Sequence, residues 1–315
     1  MTNRLGYACI NMSLSSLPKR DRVTTNRGMI KKTFLSKGIG YASELSLKNC
    51  IDLKKILEWN VKNNINFFRV SSEIFPWSSE YNLEDLPDYE EIEKIMFDCG
   101  LFIEENDIRI TSHPGPFNKL ASFEERIALN TIKDLETHSK VFDLLCLSNS
   151  PYNKINIHIG AVYDGSKEKT CDNFCRNFDR LSDNLKERLT IENDDKGALY
   201  SAKDIYDLVY KKIKTPIVFD FHHHKFCTGG QSEEDALLLS LDTWGGVTPV
   251  CHYSQSRSEE KGDPKIRSNA HSDSYWEPIS FYNQKFDVML EAKHKEIALF
   301  KMRQLLSNNP KQKEI

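Results

Sequence analysis

Thr215-Pro-Ile-Val-Phe-Asp-Phe-His-His-His-Lys225 is the stretch on which the fold turns. Ile217, Val218 and Phe219 form a short β-branched and aromatic run, of the kind buried on both faces of a parallel sheet. The run stops at Asp220, His222, His223 and His224, four metal- or proton-binding side chains where a strand gives way to a loop. Taken alone, the stretch reads equally well as a metal site at the mouth of a β/α barrel or as a polar turn with a chance histidine run. Recurrence separates the two.

The pattern does recur. Apolar runs at Leu5-Ile10, Ile65-Val70, Ile108-Ser112, Ile155-Ile159, Leu189-Ile191, Ile217-Phe219, Val247-Cys251 and Val288-Leu290 predict eight strands. Amphipathic stretches lie between them, at Cys50-Asn63, Asp88-Glu105, Phe123-Leu147, Cys171-Glu187, Ser201-Lys212, Glu233-Leu241 and Ala292-Leu306. The Gly-x-Gly-x-x-Gly fingerprint of an open doubly wound sheet is missing, so this α/β chain is expected to be a (β/α)₈ TIM barrel. Without a repeat or linker inside, residues 4–307 read as one domain, followed by a polar tail at 308–315.

Nearly every run ends in chemistry. His113 follows the third, His158 the fourth, Glu192 the fifth and Asp220 with His223 the sixth. His252 and then His271 follow the seventh, and Glu291 closes the eighth. One histidine usually just satisfies a hydrogen bond. Eight imidazoles and carboxylates at the same end of successive strand units point to a metal cluster at the C-terminal rim of the barrel. Eight donors exceed the ~4–6 that one ion takes, and suit two or three divalent ions with bridging carboxylates. Imidazole with carboxylate and no thiolate fits Zn²⁺, Mn²⁺ or Fe²⁺ equally. Cys251 should face away from its neighbour His252, and His222 and His224 away from His223. His138 and His294 fall on helices and are expected at the surface.

Composition narrows the setting. The chain is 39% hydrophobic and 28% charged, and has no apolar stretch near the roughly 20 residues of a membrane span. Eight scattered cysteines with no CxxC pair, and no signal-peptide pattern ahead of Arg4, suggest a reducing intracellular compartment. A net charge of −3 exerts no global pull on nucleic acid, but between Pro18 and Lys37 seven basic residues stand against Asp21 alone. Two or three cations in one cleft most often serve in-line displacement at a phosphodiester, where they activate water and neutralise the phosphate.

At this point the residues meet a family. Arg4-Leu-Gly-Tyr-Ala-Cys-Ile-Asn11, Thr24-Thr-Asn-Arg27, Phe68-Arg-Val-Ser-Ser72, Ser112-His-Pro-Gly115 and His158-Ile-Gly-Ala-Val-Tyr-Asp-Gly165 resemble motifs of the UV-damage endonucleases. So do Leu189-Thr-Ile-Glu-Asn-Asp-Asp195, Phe219-Asp-Phe-His-His-His224, His252-Tyr-Ser254 and Asp287-Val-Met-Leu-Glu-Ala-Lys293, in order over almost the whole chain. The resemblance implies a barrel related to endonuclease IV that acts as a monomer on damaged double-stranded DNA. It implies a nick immediately 5′ of cyclobutane pyrimidine dimers, (6-4) photoproducts and, often, abasic sites. Mn²⁺ is the implied ion, with Zn²⁺ or Mg²⁺ as alternatives. The metal ligands then fall on His113, His158, Glu192, Asp220, His223, His252, His271 and Glu291, with Glu192, Glu291 and His252 at the catalytic centre. Tyr7 and Asn11 match a pair that probes the damaged dinucleotide, Phe117 keeps a stacking aromatic, and Arg27 with the basic stretch Lys19–Lys37 gains a role as phosphate contact.

Departures from the family lie at Pro116, where relatives often carry a polar amide, and at Val250, where they often carry a lysine. A second carboxylate that endonuclease IV has at the Asn269-x-His271 pattern is absent. Two rivals stand beside this reading. A sugar isomerase on the same barrel needs Glu192, Asp220, His252 and Glu291, but not the other histidines or the basic stretch. A non-cleaving damage-binding protein would use metals only to brace its fold.

Overall fold

The computed structural model describes residues 3–308. Eight parallel strands run in chain order: β1 (Leu5–Ala8), β2 (Phe67–Arg69), β3 (Arg109–Thr111), β4 (Ile155–Ile157), β5 (Leu189–Glu192), β6 (Ile217–Val218), β7 (Val250–Tyr253) and β8 (Asp287–Leu290). Ladders join β3-β2-β1-β8-β7 and β4-β5-β6. A bridge from Ser112 to Ile155 ties β3 to β4, and one from Asp220 to His252 ties β6 to β7. The ring therefore closes in sequence order, as a (β/α)₈ barrel requires.

Alternation along each strand builds two compartments. Ile155 and Ile157, Leu189 and Ile191, Val288 and Leu290 belong to the large core between strands and helices. Ala8, Phe67, Val218, Val250 and Met289 form, with Trp244, a separate small cluster that fills the barrel itself. The polar residues that share the inward face with these apolar ones are what reach the rim.

Three elements depart from the sequence expectation. The helix expected at Cys50-Asn63 runs from Lys31 to Lys62, broken only at Gly38, whose φ of 68° and ψ of −165° no helical residue adopts. Its first turns, read from sequence as a basic loop, are held because Phe34 stacks on Trp77 at 5.9 Å and on Tyr81 at 6.4 Å. The helix expected at Cys171-Glu187 is two, Lys167–Phe178 and Asp183–Arg188, because Ser182 accepts from Leu185 N and starts a new one. Strand β7 begins at Val250 rather than Val247, since Pro249 has no N–H to give the ladder. Of the expected tail, Asn308 ends the helix Lys295–Ser307, and residues 309–315 lie outside the described residues. Among the described residues no helix is long and apolar enough to cross a membrane.

Candidate metal centre

The inward, rim-proximal position of most strands carries an ionisable side chain, and Glu192 at the end of β5 is where they meet. Its Oε2 lies 3.1 Å from His113 Nε2, 3.6 Å from His158 Nε2 and 3.0 Å from His252 Nδ1. Its Oε1 lies 3.4 Å from His223 Nδ1. Beyond it, His252 Nδ1 is 3.3 Å from Glu291 Oε1, and His271 Nδ1 is 3.6 Å from Glu291 Oε2. Three overlapping groups have donor atoms within 4.8 Å of one another: His113, His158 and Glu192; Glu192, Asp220 and His223; Asp220, His252 and Glu291. Glu192 and Asp220 each belong to two groups. Seven of the eight expected ligands fall in these groups, and His271 adjoins them with its ring 5.9 Å from that of His223.

Local structure aims these side chains. Asp220 caps the short helix Phe221–His224, its Oδ1 accepting from His223 N at 2.7 Å, which turns the Asp-Phe-His-His segment back over the rim. Three imidazoles are locked by carbonyls, which only accept: His113 Nδ1 donates to Pro114 O, His223 Nδ1 to Asn193 O and His271 Nδ1 to Glu291 O. Nδ1 of each is thereby committed as a donor, which leaves Nε2 as the nitrogen a metal would take.

Electrostatics agrees with the geometry. Burial drives His252 down to about 3 and His158 to about 4, so both rings are neutral at pH 7. Burial pushes Asp220 up to about 7, with the charges of Glu192 and Glu291 adding to the effect. Burial also opposes ionisation of Glu192, yet the imidazoles of His252, His158 and His113 hold its carboxyl well below the usual carboxylate range. Asp220 Oδ2 and Glu192 Oε1 are buried with no hydrogen-bond partner among the described residues. A buried carboxylate oxygen with nothing to accept from is costly unless a cation completes it. The donor set therefore fits divalent ions. Above it opens a cavity of about 610 Å³ lined by Arg69, His113, His158, Glu192, His223 and Glu291, among others.

Several supporting residues escaped the sequence reading. Arg69 Nη2 lies 2.6 Å from Glu291 Oε1 and 2.9 Å from His252 Nε2, and the fully buried Lys154 places Nζ 3.0 Å from the same nitrogen. Asn156 donates to Glu192 and accepts from Thr190 Oγ1 at 2.8 Å. Alternation in Lys154-Ile-Asn-Ile-His158 puts Lys154 and Asn156 on the face of His158, so the signal was present.

Four residues sit in surroundings that the sequence did not foretell. Tyr7 alternates outward from β1, and its hydroxyl donates to Asn60 Oδ1 on the helix Lys31–Lys62 at 2.7 Å. Asn11 donates to Tyr7 Oη at 2.9 Å and caps the following turn through Leu14 N. Both are fully buried in this conformation. Arg27 pairs with the buried Asp52 at 2.6 Å and donates to the carbonyls of Thr24 and Arg22, so its guanidinium is engaged by the chain while the side chain stays 26% exposed. His138 is buried, 3.1 Å from Ser112 Oγ, because the helix Glu125–Leu144 turns that face onto β3. Phe117, by contrast, is 64% exposed on the loop after β3, beside the cavity.

The sequence profile described as UV-endonuclease UvdE matches residues 3–315. The chain belongs to the UV-endonuclease family. It is 34% identical to the UV-damage endonuclease of Schizosaccharomyces pombe over 98% of its own length, and spans about half (51%) of that relative. With the UV DNA damage endonuclease of Bacillus cereus (strain G9842) it shares 30% identity, over 96% of this chain and 94% of the relative. The crystal structure of SacUVDE superposes with a TM-score of 0.82 at 31% identity, covering 97% of this chain and 98% of that one. Endonuclease IV from Thermus thermophilus, at a TM-score of 0.54 and 12% identity over 97% of this chain and 100% of that one, shares the fold. The family thus makes this chain a nuclease, and its barrel is common to both groups.

Proposed function

We propose that residues 4–307 act as one endonuclease domain that nicks damaged duplex DNA immediately 5′ of cyclobutane pyrimidine dimers, (6-4) photoproducts and abasic sites. One observation carries the reading: three donor groups share Glu192 and Asp220 at the rim, beneath an open cavity, in a chain of the UV-endonuclease family. His113, His158, Glu192, Asp220, His223, His252, His271 and Glu291 would hold two or three divalent ions, of which Mn²⁺ is the proposed native one. Bound there, the ions would supply activation of water and neutralisation of phosphate charge.

The chain's own residues do the rest. Glu192 sits where two groups overlap, Glu291 and His252 belong to the third, and the three orient the reacting centre. Arg69 holds Glu291, and Asn156 holds Glu192, so neither carboxylate is free to turn away from the cleft. Phe117 offers an exposed ring against which a weakly stacked, damaged dinucleotide can lean, since unpairing such a site costs less than unpairing intact DNA. Lys19, Arg20, Arg22, Lys31, Lys32 and Lys37 are exposed and placed to meet the backbone, although Arg20 pairs with Asp21 at 3.3 Å and Lys37 lies over the Tyr41 ring at 3.9 Å. Tyr7 and Asn11 shape the end of β1 rather than contact the lesion.

An end-labelled duplex containing one thymine dimer tests the proposal, with the wild type beside Glu192→Gln, in Mn²⁺ and in chelator. The expected product is a single nick on the 5′ side of the dimer, seen only with wild type and metal. Binding of irradiated DNA without any nick would hand the function to the damage-binding alternative.

A further inference from the structure

Lys119 lines the same cavity as the metal-binding side chains, yet nothing in the proposed chemistry employs it. Its ammonium is half-buried, and among the described residues it has one hydrogen-bond acceptor, Gly160 O at 3.0 Å. No carboxylate among them lies within ion-pairing distance of Nζ. Asp194, whose charge reaches Lys119, already accepts from the backbone of Tyr200 and stands 3.5 Å from His158 Nδ1. An ammonium has three donors, so two here face the cavity without a protein partner. Withdrawing such a group from water without an anion is costly, which makes an incoming anion its natural complement.

The surroundings are arranged to keep it there. Gly160 has a φ of +65°, and a Cβ built on it would stand 2.6 Å from Lys119 Nζ, so glycine at this strand end leaves the space that the ammonium fills. The loop that carries Lys119 is pinned to its neighbours: Lys119 N donates to Thr131 Oγ1 at 2.9 Å and Asn118 Nδ2 to Asp134 at 2.8 Å. Asn173 and Asn177 bind the carbonyls of Ser122 and Leu120. Phe117, two residues earlier, points out from the same pinned loop.

We infer that Lys119 is a substrate-contacting residue, whose ammonium takes a non-bridging oxygen of one backbone phosphate at the damaged site. The loop after β3 then presents two elements at fixed spacing, a ring for the bases and a charge for the backbone. This rests on the nuclease reading above and adds to it a specific phosphate contact. A lysine bonded to phosphate acts as a point charge, and losing a hydrogen bond to a charged group weakens an interaction roughly 10- to 100-fold.

The test pairs Lys119 variants with dimer-containing duplexes in which each phosphate near the lesion is replaced, one at a time, by a neutral methylphosphonate. Wild type should lose roughly 10- to 100-fold in kcat/KM at one such phosphate beyond the scissile bond itself. Lys119→Met and Lys119→Gln should lose that factor on the all-phosphate duplex and show no further loss at that phosphate. Lys119→Arg should restore the sensitivity, and Mn²⁺ uptake by calorimetry should be unchanged in all three. If the neutral variants keep the full wild-type methylphosphonate profile, or lose Mn²⁺ uptake along with activity, Lys119 merely braces the Gly160 turn and the inference fails. A wild type that nicks no dimer duplex sinks the nuclease reading instead, so the two failures are distinct.

Discussion

Both ends of the barrel bury charge on the same strands, and they treat it in opposite ways. At the floor, Arg109 on β3 meets Asp287 on β8 at 2.9 Å, donates to Tyr152 O at 2.8 Å and lies over the Tyr152 ring at 4.4 Å. Arg4 N donates to the other Asp287 oxygen, while its guanidinium reaches Tyr152 Oη and Asp107. Every carboxylate there has a cation from within the chain. At the rim, Glu192, Asp220 and Glu291 crowd together with imidazoles, Arg69 pairs with Glu291, and burial pushes the Lys154 ammonium well below its usual range. Glu192 Oε1 and Asp220 Oδ2 are left without a hydrogen-bond partner among the described residues, a place for a cation from outside. The floor is built for stability, and the rim for ligand.

Glu192→Gln should break this contrast most visibly. It keeps shape and volume but removes the charge shared by two donor groups, so activity should fall by more than about 100-fold, beyond the 10–100-fold typical of removing an outer-shell partner. Mn²⁺ stoichiometry by calorimetry should fall with it, while the melting temperature in chelator should fall only modestly, because the imidazoles that hold the Glu192 carboxyl low lose its charge but keep a polar partner of the same shape. A large drop in chelator melting temperature would mean that Glu192 is an ordinary structural carboxylate. Arg109→Met should do the reverse. Stranding the buried Asp287 should cost about 3–5 kcal/mol in urea unfolding, and Arg109→Met with Asp287→Leu should recover much of it. Mn²⁺ uptake per folded molecule should be untouched. Uptake lost with the floor pair would show that the two ends are not independent.

The same contrast explains what could be read from sequence. Runs such as Ile217-Val-Phe and Leu189-Thr-Ile, each stopping at a ligand, located the strands because a parallel strand buried on both faces must be apolar until it ends. The ligands were legible because ionisable residues at strand ends have few other reasons to be there. What did not show was direction. Tyr7 sits one residue from the barrel interior, and only its bond to Asn60, from a helix some fifty residues later, reveals that it faces outward. Arg27 looked free until the fold brought Asp52 beneath it. Arg69 and Lys154 were hidden for a related reason. A lone basic residue inside an apolar run gains meaning only when strands two or three apart in the barrel are seen to point at one imidazole.

A subtler measurement sharpens the comparison at the rim alone. In the metal-free protein, burial and the neighbouring carboxylates hold Asp220 up to about 7. Burial works against the proton on His223, but the charges of Asp220 and Glu192 outweigh it and raise that imidazole to about 9. The pair therefore retains a proton at neutral pH, carried mainly on His223, whereas a metal ligand must give it up. The sign follows: Mn²⁺ binding at pH 7 should expel protons, on the order of one per chain, and affinity should climb between about pH 6 and 9 before levelling. Calorimetry in two buffers of different ionisation enthalpy reads the number directly. Asp220→Asn removes one titrating group and its effect on His223, so both the proton release and the pH slope should shrink. The floor supplies the control, since Asp287 is paired in advance and Arg109→Lys should leave the proton count unchanged. Uptake with no proton release would mean that the rim carboxylates are already ionised and balanced within the chain, and the asymmetry between the two ends would disappear.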